Sequence, residues 1–409
     1  MIKPTSRALY TSQSTVGSLV SRINAQATQS KDLEHDQSTR ANLLQLSREL
    51  TASLQAPDEV CSLLAFSIGP FMCVRVADEL KIFDLLCEKS PRSTQELASI
   101  TGAEHGLIVR VMRVLGGMGF AFQQSKNIYS ATAVSKQMTL PSVRAGIKTF
   151  HTEGFPAVHR SIDYFKENGW RLPRAMNDNP YNFAEGTTEN PFTHMSKKPG
   201  VMETFNVFMQ GLFGTPFRLG WSDWFPIKEV ALDGFDETQG NGVCFVDVGA
   251  GKGHEGNLVL QKYPETKGKF IAQDLEFVIS DIQKGELDHR IETMVHDFTK
   301  PQPVKGARVY FLQNILHDWA SPVCHEILTS LREAMTPGYS KLIVCNIILP
   351  EGNVPLRQSC LDVAMLYMHS GQQRTQEEFR ELFETAGLKV TKFWLPPGDG
   401  DGIVEAEVA

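Results

Sequence analysis

Nothing in this sequence points toward a charged polymer, a bilayer or an oxidising compartment. Lys and Arg total 40 against 47 Asp and Glu, a formal net charge of −7, so the chain lacks the cationic excess that draws proteins to nucleic acid or anionic membranes. It also lacks any run approaching the roughly twenty apolar residues of a membrane span, and its N-terminus has no apolar core of a signal peptide. A soluble, cytoplasmic protein is the expectation, with neither nucleic acid nor membrane as a partner. Cys61, Cys73, Cys87, Cys244, Cys324, Cys345 and Cys360 are scattered, odd in number and without a C-x-x-C pair. That pattern argues against a disulfide framework or a zinc centre and predicts buried free thiols. No metal is expected.

What the chain does have is length and apolar content. Its 409 residues are 42% apolar, enough for more than one folded core. Residues 1–37 are rich in Ser, Thr and Gln and read as a mobile arm, within which Val16 to Ile23 can form a short helix against a partner subunit. Residues 38–140 read as a helical, winged-helix domain. Ser38 to Gln55 has helical spacing of leucines, and Glu59 to Leu86 is so apolar that it is expected to be buried. Ser93, three residues before Glu96, forms a capping box for a helix ending near Gly102. A second helix, His105 to Met118, precedes a strand pair, Gly119 to Ala131. That helix offers only Arg110 and Arg113 among Ile108, Val111, Met112 and Leu115, so its surface suits a core better than a DNA groove. Residues 141–230 read as a helical linker and substrate roof, with helices Arg144 to Phe165 and Gly200 to Phe213 around a polar loop, Asn177 to Glu189.

The remaining segment, 231–409, is organised around Cys244 to Asp274. The β-branched run Val243 to Val248 breaks into Gly249, Gly251 and Gly253, and a helix follows: strand, glycine turn, helix. Glycines let a ligand approach the backbone, and the following helix presents unpaired N–H groups. Nicotinamide and flavin enzymes use a similar turn for pyrophosphate. Here the spacing is G-x-G-x-G, and Asp247 precedes the glycines, where a carboxylate suits an ammonium better than a phosphate. Asp274 closes the next strand, where a carboxylate can accept hydrogen bonds from ribose hydroxyls. Strand and helix then alternate to the C-terminus, which implies an α/β, doubly wound, Rossmann-like sheet with ligands at the carboxyl ends of its strands. Gly249, Asp274, Asp297 and His317 all fall at such ends.

VDVGAGKGH, QDL, HDF at His296 to Phe298 and LHDW at Leu316 to Trp319 occur in the order found in class I S-adenosylmethionine-dependent O-methyltransferases. From about Asp58 onward the chain resembles the caffeate type of that family and its fungal secondary-metabolism branch. The resemblance implies that S-adenosylmethionine is the cofactor, with Asp247, Gly249, Gly251, Gly253, Asp274, Asp297, Phe298 and Gln313 around it. It also implies that the N-terminal domain makes a homodimer. Met209, Phe213, Met365 and His369 become candidates for an apolar substrate pocket, with His159 a further pocket and catalytic candidate.

His317 corresponds to the family's general base, and an imidazole can take a proton from a phenol or enol. The family orients that base with two glutamates. Here their positions hold Asn346, in NIILP, and Gln373, in QQRT. An amide orients the ring but adds no charge to stabilise an imidazolium. Some fungal members of the family have left methylation for pericyclic chemistry, in which a shaped cavity and hydrogen-bond donors guide dehydration and ring closure of a polyketide-derived alcohol. His317, Asn346 and Gln373 suit that use, and a pericyclase is the leading expectation. O-methylation of a phenolic or enolic metabolite is the alternative, and a noncatalytic S-adenosylmethionine-binding regulator is the third reading.

Overall fold

A computed structural model describes residues 16–29, 32–33, 36–213, 220–283, 285–396 and 400–409. The chain folds as two compact units, one of residues 1–148 and 207–212, the other of residues 149–206 and 213–409.

In the first unit, helices Val16–Ala27 and Gln37–Leu54 pair through buried Leu19 and Leu46. The apolar stretch after them forms three helices, Pro57–Ala65, Ile68–Glu79 and Ile82–Glu88. Only the latter two enter the core, and the expectation that the whole stretch is buried is corrected. Pro57–Ala65 buries no residue, and Leu63, Leu64, Phe66, Ile68 and Met72 are exposed, Leu64 by 74%. The winged-helix reading holds. Ser93 and Glu96 make the capping box of Thr94–Thr101, and Ile108, Val111, Met112 and Leu115 of His105–Gly117 are buried while Arg110 and Arg113 face outward. Strand β1 (Arg92–Ser93) joins the hairpin of β2 (Ala121–Ser125) and β3 (Ile128–Ala131). Among the described residues no single helix is long and apolar enough to cross a membrane.

The second unit is built on a seven-stranded sheet. Its strands are β4 (Val243–Val248), β5 (Lys269–Asp274), β6 (Ile291–Val295), β7 (Val309–Gln313), β8 (Lys341–Asn346), β11 (Leu388–Trp394) and β12 (Gly402–Val408), in the spatial order β11-β12-β8-β7-β4-β5-β6. Strands β4 to β8 are parallel, and β12 runs antiparallel to both of its neighbours. A small parallel pair, β9 (Ile348–Leu349) and β10 (Arg374–Thr375), forms separately from it. All six residues of β4 are buried because both faces are covered. Val246 and Val248 pack with Ile327, Leu331 and Phe383, while Cys244 and Phe245 pack with Trp221, Leu260 and Phe270. The strand order reverses on either side of β4, the place where α/β sheets open a ligand crevice.

One helical expectation is refined and one loop is corrected. Arg144 to Phe165 is helical throughout, with a local change of pitch: Pro141–Thr149 passes into a π turn, Phe150–Gly154, before Phe155–Glu167 resumes the α form. Pro156 has no N–H to donate and its ring clashes with the carbonyl one turn back, which forces the wider turn. The polar loop Asn177 to Glu189 contains helix Pro180–Glu185, capped by Asn179 through the Asn182 N–H at 3.0 Å and ended by Gly186 at φ 64°. Polar composition concealed a complete start and stop signal. The thiol expectation holds for Cys73, Cys244, Cys324 and Cys345, which are buried, but Cys61 and Cys360 are exposed.

Candidate active site

Beyond the end of β4, Gly249, Gly251 and Gly253 take φ of 75°, 55° and 75°. A Cβ at Gly249 would run into Ile315, whereas one at Gly251 would meet open space. The turn is therefore packed at its base and open at its tip. Asp274, at the end of β5, holds the tip: Oδ2 accepts the Gly251 N–H at 2.8 Å and Oδ1 the Leu275 N–H at 2.7 Å. Burial nevertheless holds the Asp274 carboxyl above its usual range.

Asp247 is buried in β4 with Oδ2 unpaired. Burial, then the neighbouring Glu255 and Asp274 carboxylates, push it well above the ordinary carboxylate range, opposed by a hydrogen bond from the Gly256 N–H. Glu255, in the first turn after the glycines, accepts the Trp221 indole N–H at 2.5 Å. The Gln313 side-chain amide faces the same carboxylate, and with its nitrogen turned toward Glu255 it donates to both oxygens, at 2.5 and 3.1 Å. Burial raises Glu255 as well, and Asp401 adds to the effect. Gln313 thus reaches the site through Glu255. Neither Glu255 nor Asp401 is among the residues expected from the sequence. Glu255 is inferable from its place two residues past Gly253; Asp401 carries no local signal.

Asp297 and Phe298 follow β6. Asp297 Oδ1 accepts the Thr299 N–H at 2.9 Å and its hydroxyl at 2.7 Å. Phe298 meets Trp319 edge-on, centroids 5.6 Å apart, and lies beside Gly249.

The His317 side is built differently. His317 sits on a 3-10 turn, Leu316–Asp318, after β7. The buried Arg374 guanidinium fixes that turn by donating to the carbonyls of Leu316 at 2.8 Å and Trp319 at 3.2 Å. Gly371 passes so close that any Cβ there would collide with the His317 carbonyl. The approach brings Gln373 Nε2 to 3.4 Å from His317 Nδ1, while His317 Nε2 stands 3.4 Å from Asp318 Oδ1. Gln373 is positioned by its N–H, which donates to Asp362 at 2.7 Å, and by the pairing of Arg374 with Ile348. Asn346 ends β8, two residues before Ile348. It is fully buried, and neither its amide oxygen nor its nitrogen has a partner. Gln373 Oε1 is also unpaired.

The pocket candidates divide. Met365 and His369 are buried on helix Leu356–His369. His369 stacks on Phe192 with centroids 4.7 Å apart, its Nδ1 is unpaired, and burial pushes it down to about 4, so it is neutral at pH 7. Met209 belongs with the first unit, and the Phe213 side chain lies outside the described residues. His159 stands exposed on helix Phe155–Glu167, and no described contact joins it to His317.

The O-methyltransferase domain family matches residues 171–389, and the O-methyltransferase dimerisation domain matches residues 62–140. O-methyltransferase penC of Penicillium thymicola is 34% identical over 95% of this chain and 96% of its own length. The chain belongs to the O-methyltransferase family. O-methyltransferase asqD of Emericella nidulans is 36% identical over 82% of this chain and 86% of its own. Among solved structures, LepI in complex with SAM superposes with a TM-score of 0.83 at 24% identity, covering 96% of this chain and 99% of that one. OxaC in complex with sinefungin and meleagrin gives 0.81 at 24%, with the same coverage. These two share the fold of this O-methyltransferase-family enzyme.

The family's cofactor fits the carboxylate-lined turn. Asp247, with Oδ2 unpaired and the Glu255 and Asp274 carboxyls beside it, suits a cation, and S-adenosylmethionine carries an ammonium and a sulfonium, whereas the phosphates of a dinucleotide would be repelled. Asp247 would meet the ammonium, Asp274 the ribose, and the open tip at Gly251 admits the ligand.

Proposed function

We propose that this enzyme binds S-adenosylmethionine and directs dehydration and ring closure of a polyketide-derived alcohol. The observation that carries the reading is the setting of His317: an amide, Gln373, faces Nδ1, and the second glutamate position of the family holds Asn346, an amide with no partner. A ring oriented this way lacks a carboxylate on the Nδ1 side to stabilise the imidazolium that deprotonation of a phenol would form. Amides instead suit neutral recognition, since an N–H polarises a carbonyl that a carboxylate would repel. Bound S-adenosylmethionine would supply a fixed positive charge beside the reacting groups. Asn346, Gln373 and His317 would orient the substrate, while His369 and Met365 keep the wall uncharged.

O-methylation is the second reading, favoured by the activity named for penC and asqD and by the Asp318 carboxylate near Nε2. The two separate on stoichiometry, because methylation consumes one cofactor per product and cyclisation none. Changing Asn346→Glu and Gln373→Glu together tests the cause of divergence. Methylation of a phenol by the double variant alone would trace it to the lost carboxylates; none in either protein would place the difference in the pocket.

We also propose that the chain works as a cytoplasmic homodimer through its N-terminal domain. The exposed apolar side chains of Pro57–Ala65 and Ile68–Glu79 support this, as does the match to a dimerisation domain.

A further inference from the structure

One guanidinium holds the backbone under both His317 and Gln373. Arg374 is 1% exposed, and among the described residues its hydrogen-bond acceptors are all neutral. Nη1 donates to the Leu316 carbonyl at 2.8 Å and to the Gln372 carbonyl at 3.3 Å. Nη2 donates to the Trp319 carbonyl at 3.2 Å, the Ser321 hydroxyl at 3.3 Å and the Cys324 sulfur at 3.5 Å. The Leu316 carbonyl belongs to the peptide that leads into His317, and the Gln372 carbonyl to the peptide that leads into Gln373. A single nitrogen therefore spans the two peptides whose side chains stand 3.4 Å apart.

The second of these peptides is held at its other edge as well. Its N–H, that of Gln373, donates to Asp362 Oδ1 at 2.7 Å. Two independent backbone contacts seat the same segment. Gly371 lies where any Cβ would collide with the His317 carbonyl, and Arg374 pairs in register with Ile348, two residues past Asn346.

We propose that Arg374 is the positioning residue of the reaction site. Through the Leu316 and Gln372 carbonyls its fork sets the separation and orientation of His317 and Gln373, with Asp362 as the second support. This deepens the reading of the amide end and rests on it, because it takes those two side chains as groups that meet the substrate. The fork explains why arginine stands here. Its two terminal nitrogens donate in fixed directions within one plane, whereas a lysine ammonium offers its donors from a single point. Lysine would keep the charge and lose the alignment.

The test uses the full chain with saturating S-adenosylmethionine in two assays, a hydroxybenzyl alcohol with a thiol trap and a phenol with methyl-labelled cofactor. In whichever assay the native enzyme turns over, Arg374→Lys should lower kcat about 10- to 100-fold, with KM and cofactor affinity little changed. The His317→Ala, Gln373→Ala double variant supplies the decisive background. There Arg374→Lys should cost less than about 3-fold, because nothing is left to position. A loss of equal size in both backgrounds, or no loss of kcat, overturns the proposal. Asp362→Ala keeps the test standing if Arg374→Lys does not fold. Its kcat should fall about 10-fold, and Asp362→Asn, whose side-chain oxygen still accepts the N–H, should recover most of the loss; a fully active Asp362→Ala contradicts the proposal. The His317 nitrogen signals, assigned by NMR through their loss in His317→Ala, decide the matter without turnover. They should move in Arg374→Lys and in Asp362→Ala and return in Asp362→Asn, and unmoved signals would sink the positioning role. Methylated product with no dehydration would end the cyclase reading, while the comparison of backgrounds still decides the role of Arg374.

Discussion

The two ends of the crevice are built from opposite materials. Around β4 and β5 stand carboxylates, Asp247, Glu255 and Asp274, with Asp401 near them, each of the first three raised by burial. Around the His317 turn stand amides, Asn346 and Gln373, with the Asp318 carboxylate also near the ring. Buried carboxyls in that number ionise more readily beside a cation, so the first end suits a positively charged ligand whatever reaction follows. Amides carry no charge, and the unpaired atoms of Asn346 and the free oxygen of Gln373 suit a neutral substrate's donors and acceptors. A family that binds one cofactor can therefore change its reaction at the second end while leaving the first intact.

The largest expected effect tests the second end. His317→Ala should lower turnover about 10²–10⁴-fold while cofactor affinity, read by calorimetry, stays unchanged. Full turnover would remove His317 from the reaction. At the first end, Asp247→Asn should weaken S-adenosylmethionine binding about 10- to 100-fold by loss of a charge-assisted hydrogen bond, with turnover at saturating cofactor preserved. Unaltered affinity would mean the ammonium lies elsewhere.

Gly371→Ala should cost about 1–3 kcal/mol of stability, because a new Cβ must push the His317 carbonyl aside. Thermal melting measures this, and turnover should fall with cofactor binding retained. The smallest effect is on pH. Asp247, Glu255, Asp274 and Asp318 all hold protons more tightly folded than unfolded, so their contribution is complete below the ordinary carboxylate range and is lost as pH rises through the folded values, about 8 for Asp318. The melting temperature of the ligand-free protein should fall between about pH 5 and pH 8, and Asp318→Asn should flatten that slope.

Local signals are legible in the chain, and contacts between distant segments are not. The glycine turn, the strand–helix alternation and the Ser93–Glu96 cap are each written within a few residues. Glu255 and Asp318 stand beside recognisable motifs, yet their effect depends on which neighbours desolvate them, and no motif states that. Asp401 and Arg374 reach the site only through tertiary packing. The stretch from Leu63 to Met72 shows a different limit: apolar surroundings in sequence do not say which face of a helix the rest of the chain covers. Pro156 and the Asn179-Pro180 pair are local signals too, a change of helical pitch and a helix start, masked by the composition of the segments that carry them.

The central claim is that the amide end has left methyl transfer for dehydration and ring closure. The direct measurement is incubation of the purified enzyme with methyl-labelled S-adenosylmethionine and a set of polyketide alcohols and phenols, with cofactor and products followed by mass spectrometry. The expected product is lighter by one water and unlabelled, with the cofactor intact after many turnovers. Label in the product, matched by one S-adenosylhomocysteine per turnover, would contradict the claim.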